Sequence, residues 1–297
     1  ELGSSFLAQA FRVSAFCKLF RFIMAPVKFD DLEKTAKEVL SDDYQTSGYQ
    51  FKAKQKTGLQ GSVVTTTIDL YPTKDTCMTP AKLTWRLPQP GGCPFIVIDK
   101  LEVDKSGGVK LEGSTDKVMK GLRIDLKPEL SDLKKTKTGF TYTGFPDVRM
   151  ALDTKGVELK NVVGEVTFQA GPTVLGAKFA SPWCPDLGVR FTHGPFFASL
   201  YSKEKFGTFV GACHYKAADN LRVAANYTFG GSKNGTCGLA LMYSCNKNTS
   251  MKVKVEQDLG VSCAVKQTLA KGFNVIGGLK YDTKKGTPSY GLQLSVE

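Results

Sequence analysis

Leu221-Arg222-Val223-Ala224-Ala225-Asn226-Tyr227-Thr228-Phe229 alternates two sets of side chains, Leu221, Val223, Ala225, Tyr227 and Phe229 against Arg222, Ala224, Asn226 and Thr228. That is the two-residue period of a strand with one greasy and one wet face. The pattern continues to the C-terminus. Met251, Val253 and Val255 alternate with Lys252, Lys254 and Glu256, and Phe273, Val275, Gly277, Leu279 and Tyr281 with Asn274, Ile276, Gly278, Lys280 and Asp282. Tyr290, Leu292, Leu294 and Val296 alternate with Gly291, Gln293, Ser295 and Glu297. Turn-forming clusters at 230–235, 245–248 and 282–286 separate these segments, so each is expected to fold back antiparallel on its neighbour. The unit is a hairpin, repeated.

Working outward, the same period begins just after Gly48. Tyr49, Phe51 and Ala53 alternate with Gln50, Lys52 and Lys54, and Leu83, Trp85 and Leu87 with Lys82, Thr84 and Arg86. Leu122, Ile124 and Leu126, then Val166 and Phe168, then Phe209, Gly211, Cys213 and Tyr215 repeat it. Between Pro88 and Lys120, a stretch rich in Pro, Gly and charge, the alternation is less clean and no strands are assigned. At about 13 residues per strand and turn, the chain after Gly48 accommodates about nineteen strands. An open sheet of that size would expose two long unpaired edges, whereas a closed barrel has none.

Composition decides what kind of barrel. The 297 residues are 41% hydrophobic, and no run reaches the about 18–20 apolar residues of a transmembrane helix. A transmembrane β-barrel escapes that test, because its strands need only about 9–11 residues with every second one apolar. Thirty glycines and 13 prolines suit frequent turns. The fold expected is an all-β transmembrane antiparallel barrel.

One segment breaks the period. Phe29, Leu32, Ala36, Val39 and Leu40 fall at helical spacing, with Asp31, Lys34, Lys37 and Glu38 opposite, so one amphipathic helix is expected from Val27 to Leu40. A lone helix of about 14 residues is marginal in water and must bury its apolar face. Residues 1–24 are read as an upstream extension, 25–47 as pore helix and linker, and 48–297 as the barrel. The extension is basic and apolar up to Met24, resembling a transit peptide; translated leader sequence is the plainer reading.

The formal charge of +12 is spread along strand faces, at Lys52, Lys82, Lys178, Lys216, Lys252, Lys254, Lys266 and Lys280 among others, with no localised basic stripe of the kind that nucleic acid requires. Eight cysteines include no C-x-x-C pair or zinc spacing and read as reduced thiols. His193 and His214 are the only histidines. Nucleophile elbow, P-loop and dinucleotide fingerprint are all missing, so the sequence suggests no enzyme, metal or cofactor.

Several motifs in one order resemble the mitochondrial porins, the voltage-dependent anion channels of the outer mitochondrial membrane. They are the helix Asp31-Leu32-Glu33-Lys34-Thr35-Ala36-Lys37-Glu38-Val39, Gly121-Leu122-Arg123 in place of the family's Gly-Leu-Lys, Ala170-Gly171-Pro172, and Lys266 to Gly272. Ser289, Gly291, Leu294 and Val296 match the family's membrane-insertion signal in the last strand. The resemblance, from about Ala25 to the end, implies a nineteen-stranded barrel with the helix inside the pore and voltage-dependent passage of ions and small anionic metabolites, ATP and ADP included. A related outer-membrane pore for protein import is the alternative. Pore-lining selectivity residues on this reading are Lys34, Lys37, Arg123, Arg222, Lys252, Lys254 and Lys280. Nucleotide contacts would be Lys34, Gly260, Val261, Ser262, Gly278, Lys280 and Asp282. The partners implied are the lipid bilayer and metabolites in transit, with homo-oligomers left open. The linker from Ser41 to Gly48 holds less glycine than is usual in the family.

Orientation follows from cost. A lysine forced into hydrocarbon near the midplane costs about 2–4 kcal/mol, so Val223, Tyr227, Val253, Val275 and Leu292 are expected against lipid and Arg222, Lys252, Lys254 and Lys280 in the lumen. Phe29, Leu32, Ala36 and Val39 should meet the wall, leaving Lys34 and Lys37 toward the water path.

Overall fold

The computed structural model describes residues 27–58, 62–70, 81–88, 90–92, 95–104, 107–128, 130, 135–156, 161–180, 184–231, 235–284 and 286–297. The expected extension at 1–24, with Cys17, Cys77 and Cys93, lies outside them.

Nineteen strands form one closed sheet. In chain order they are β1 Gly48–Lys56, β2 Val63–Leu70, β3 Ala81–Leu87, β4 Val97–Asp104, β5 Val109–Met119, β6 Leu122–Lys127, β7 Lys137–Phe145, β8 Val148–Lys155, β9 Asn161–Ala170 and β10 Thr173–Ala180. There follow β11 Asp186–His193, β12 Phe196–Lys203, β13 Thr208–Ala218, β14 Leu221–Gly230, β15 Thr236–Ser244, β16 Thr249–Glu256, β17 Val261–Ala270, β18 Phe273–Asp282 and β19 Thr287–Val296. Consecutive strands pair antiparallel, as the hairpin pattern requires. The odd strand number leaves the closing pair, β1 with β19, parallel, running from Gly48 opposite Gly291 to Ala53 opposite Val296.

The stretch without assigned strands contains β4 and β5. Its alternation is broken because the register shifts between Trp85 and Leu87 and again between Ile98 and Lys100. An extra residue flips the faces of everything beyond it, so a strict two-residue template fails there.

Directly opposed residues share a face. Val253 stands opposite Leu241 and Cys263, and Lys252 opposite Met242 and Ala264. The outward set, including Tyr227, Leu239, Leu241, Met251, Val253, Leu279 and Tyr281, is exposed and apolar, which suits hydrocarbon. The inward set carries Arg222, Lys252, Lys254 and Lys280.

The N-terminal segment lies inside. Phe29, Leu32, Ala36, Val39 and Leu40 are buried against Val174, Phe197, Tyr201, Ala212, Ala224 and Ala240, all on the inward face. It is not the single helix expected from Val27 to Leu40: a 3-10 turn, Phe29–Asp31, precedes a shorter helix, α1, Lys34–Leu40. The cause is a wall residue. An uninterrupted helix would bond the Glu33 amide to the Phe29 carbonyl. Instead the Tyr201 hydroxyl sits between them, accepting from Glu33 N at 3.1 Å and donating to Phe29 O at 2.8 Å. A group inserted into the ladder in this way breaks the helix.

Candidate functional site

The site is the lumen wall together with the segment docked on it. The first station holds the 3-10 turn. Glu165 on β9, ion-paired with Arg149 on β8, accepts the Phe29 amide at 2.7 Å. Thr167 donates to the Val27 carbonyl at 2.7 Å, and Lys178 on β10 reaches Asp30 at 2.8 Å. Phe29 meets Tyr201 edge-on, with ring centroids 5.3 Å apart. Two glycines make the room: a Cβ at Gly176 would stand 2.8 Å from the Phe29 ring, and one at Gly188 2.8 Å from Leu32. Such distances are shorter than packed carbon atoms allow.

α1 then crosses a platform of small residues, Ala212, Ala224 and Ala240 on β13 to β15. Fully burying Phe29, Leu32 and Val39 stabilises docking by about 1.5–3 kcal/mol each before ordering costs.

The second station closes the C-terminal end. Lys252 Nζ donates to the Glu38 carbonyl at 2.7 Å and to the Asp42 carbonyl at 3.1 Å. A cation at the unpaired carbonyls of a helix end is well placed. Asp43, held at φ +58°, lies 3.6 Å from Lys252 and 3.2 Å from Lys266. Tyr44 lies beneath Lys254, whose ammonium is 5.3 Å from the ring centroid. Burial pushes the Tyr44 hydroxyl well above the ordinary tyrosine range, with Cys263 adding to the shift.

The residues expected from sequence fall into three groups. Lys34 and Lys37 are exposed on the side of α1 away from the wall. Arg123, Arg222, Lys254 and Lys280 face the lumen, and three of these four are paired: Arg123 with Asp99 and Asp125 at 2.9 Å, Lys254 with Glu256 at 2.8 Å, and Lys280 with Glu256 at 3.2 Å. Lys252 also faces inward but is only 5% exposed, beneath the helix end and away from the water path.

The expected nucleotide contacts are brought together only in part: Ser262, Gly278, Lys280 and Asp282 share the lumen face of β17 and β18, and the others do not join them there. Lys34 is on α1, and Gly260 lies in the turn before β17. Val261 stands opposite Val255 and Tyr281 on the lipid face, and Ser262 is buried opposite Lys254 and Lys280. Gly278 lies directly under the Gln45 carbonyl. Lys280 and Asp282 remain on the lumen face. Of the residues expected to form an insertion signal, Ser289 and Gly291 face inward, and Leu294 and Val296 face lipid, opposite Val275 and Phe273. A cavity of about 680 Å³ lies between α1 and the wall, lined in part by Lys37, Lys254 and Lys284 and by Glu33, Glu256 and Asp258.

Sequence reasoning missed Glu165, Thr167, Tyr201 and Asp43 as anchors, and saw Lys178 and Lys266 only as solvated strand lysines. Asp30 and Asp43 carry no mark in the sequence of their cationic partners. Identifying those partners requires pairing across 148 and 223 residues. The five described cysteines are free.

The family described as eukaryotic porin matches residues 25–291 of this chain. No curated protein matches it. Among solved structures, two engineered mutants of the Rhodopseudomonas blastica porin are similar. One shares 11% identity over 76% of this chain and 91% of its own, at a TM-score of 0.45. The other shares 11% over 82% and 94%, at 0.46. At those scores the likeness carries no argument about strand number or function.

Proposed function

The chain belongs to the eukaryotic porin family, and from that premise we propose that it is a voltage-dependent, anion-selective channel of the mitochondrial outer membrane. Ions and small anionic metabolites, ATP and ADP among them, would diffuse through it passively. The observation that carries this reading is the placement of Lys34 and Lys37. Docking spends the apolar face of α1 on the wall and leaves these two ammonium groups exposed in the lumen, without a salt bridge among the described residues. Positive charge along an aqueous passage with low-dielectric walls concentrates anions and repels cations.

The preference should be modest, because Arg123, Lys254 and Lys280 already face carboxylates. It should also weaken as salt shortens the screening length from about 10 Å at 0.1 M to about 3 Å at 1 M. The test is the zero-current potential across a planar bilayer under a salt gradient. Wild type should favour chloride. Reversing Lys34, Lys37 and Lys254 to glutamate should move the potential toward cation selectivity. Lys252 is left intact because it holds the linker. An unmoved potential in a variant that still inserts would sink the reading.

A further inference from the structure

We propose that Gly278 and Gly291 form a seat for the linker between α1 and β1, so that the glycine of the expected insertion signal also fixes where the pore helix lies. The two glycines are directly opposed across β18 and β19, and Gly291 is opposed in turn to Gly48 at the start of β1. Three glycines thus stand in a row across three strands, on the lumen face. The linker lies on this bare strip. A Cβ on Gly291 would stand 2.7 Å from Ser47 N, 2.8 Å from Gly48 O and 2.9 Å from Gln45 O. One on Gly278 would overlap the Gln45 carbonyl.

All of these atoms are backbone, so no change of rotamer relieves the clash. The linker must lift. It is short, and its other end is fixed by Asp43 between Lys252 and Lys266. Gly48 enters β1 at φ +68°, a conformation open to glycine at no steric cost. Lifting the linker therefore pulls on Asp43 and on the helix end capped by Lys252. Gly278 and Gly291 are positioning residues in this scheme and touch no permeating ion. The same contact keeps a nucleotide off Gly278 while the linker is seated.

β18 supplies its own control. Gly277 is adjacent to Gly278 but faces lipid, and a Cβ there meets nothing within 4 Å. In a full-length background with the native cysteines replaced, Ala36→Cys and Ala224→Cys report docking through their cross-link, since both belong to the buried helix-wall cluster. Gly278→Ala, Gly291→Ala and Gly277→Ala are compared in vesicles for insertion and for cross-link yield. Gly278→Ala and Gly291→Ala should insert with yield several-fold lower, and Gly277→Ala should match the parent.

Parental yield in both seat variants overturns the proposal, as does an equal loss in Gly277→Ala. Should Gly291→Ala fail to insert, Gly278→Ala decides: lost yield upholds the seat, and parental yield assigns Gly291 to insertion alone. The inference rests on the docked helix and not on anion selectivity, which the zero-current potential tests separately.

Discussion

From β9 to β18 the strands pair in long unbroken registers, and among the described residues the shifts, at Lys216/Ala218 and Thr268/Ala270, fall beside turns. From β3 to β8 there are four shifts: Thr115/Met119 and Tyr142/Phe145 also fall beside turns, but Trp85/Leu87 and Ile98/Lys100 do not, and both change the pairing of β4. The lumen faces differ as well. On the regular side, small and apolar residues, Gly176, Gly188, Ala212, Ala224 and Ala240, carry the helical segment. On the irregular side, charges pair along the wall, Lys82 and Lys100 with Glu102, Arg123 with Asp99 and Asp125, and Lys127 with Glu112.

The physical reason is what each face must present. A docking platform needs small side chains at every second position, and a bulge inside it would turn a lipid-facing phenylalanine or tyrosine into the helix. A water-facing wall tolerates bulges, because a displaced Lys or Glu re-solvates at little cost. Regularity is therefore expected to matter more on one side of the barrel than on the other.

The largest effect should come from charging the platform contact. Leu32→Asp places an unpaired carboxylate at a fully buried position and should cost docking at least about 3–5 kcal/mol. Residues 27–47 should become protease-sensitive while far-UV circular dichroism keeps its strand signal. A segment that stays protected would show that the platform does not depend on apolar contact.

A smaller loss is expected from Lys252→Gln, which removes the charge capping the helix end while Lys266 still holds Asp43. About 1–3 kcal/mol of docking stability should go, read as a proportionate rise in cleavage, and selectivity in the docked state should barely move. A large shift of zero-current potential without any gain in cleavage would place Lys252 in the conduction path instead.

The smallest change should be on the irregular side. Arg123 is half exposed, so Arg123→Gln should alter barrel stability by no more than about 1 kcal/mol. It frees Asp99 and Asp125, and the zero-current potential should move slightly toward cations. A stability loss matching that of Leu32→Asp would erase the contrast between the two sides.

How legible each side was follows the same division. β13, β14, β16, β18 and β19 could be read directly because nothing interrupts their period between turns. β4 and β5 could not, since the residue that a bulge inserts leaves no mark of its own among the prolines, glycines and charges around it. The helix was visible from its spacing. Its break at Glu33 was not, because the hydroxyl responsible belongs to Tyr201, 168 residues away.

Sequence alone determined the closed all-β wall, the inward and outward faces, and an amphipathic helix that needed cover. These are local consequences of side-chain period and of the cost of charge in hydrocarbon, and neighbouring residues suffice to state them. Only the tertiary structure decided which lysines remain in the water path and which are consumed. Lys34 and Lys37 stand exposed, while Lys178, Lys252 and Lys266 hold Asp30, the helix end and Asp43. In one dimension all five are lysines on the polar side of an amphipathic segment. What separates them is the strand register around the closed barrel, which brings wall positions from β10, β16 and β17 to the linker and helix and leaves the outer side of α1 to water.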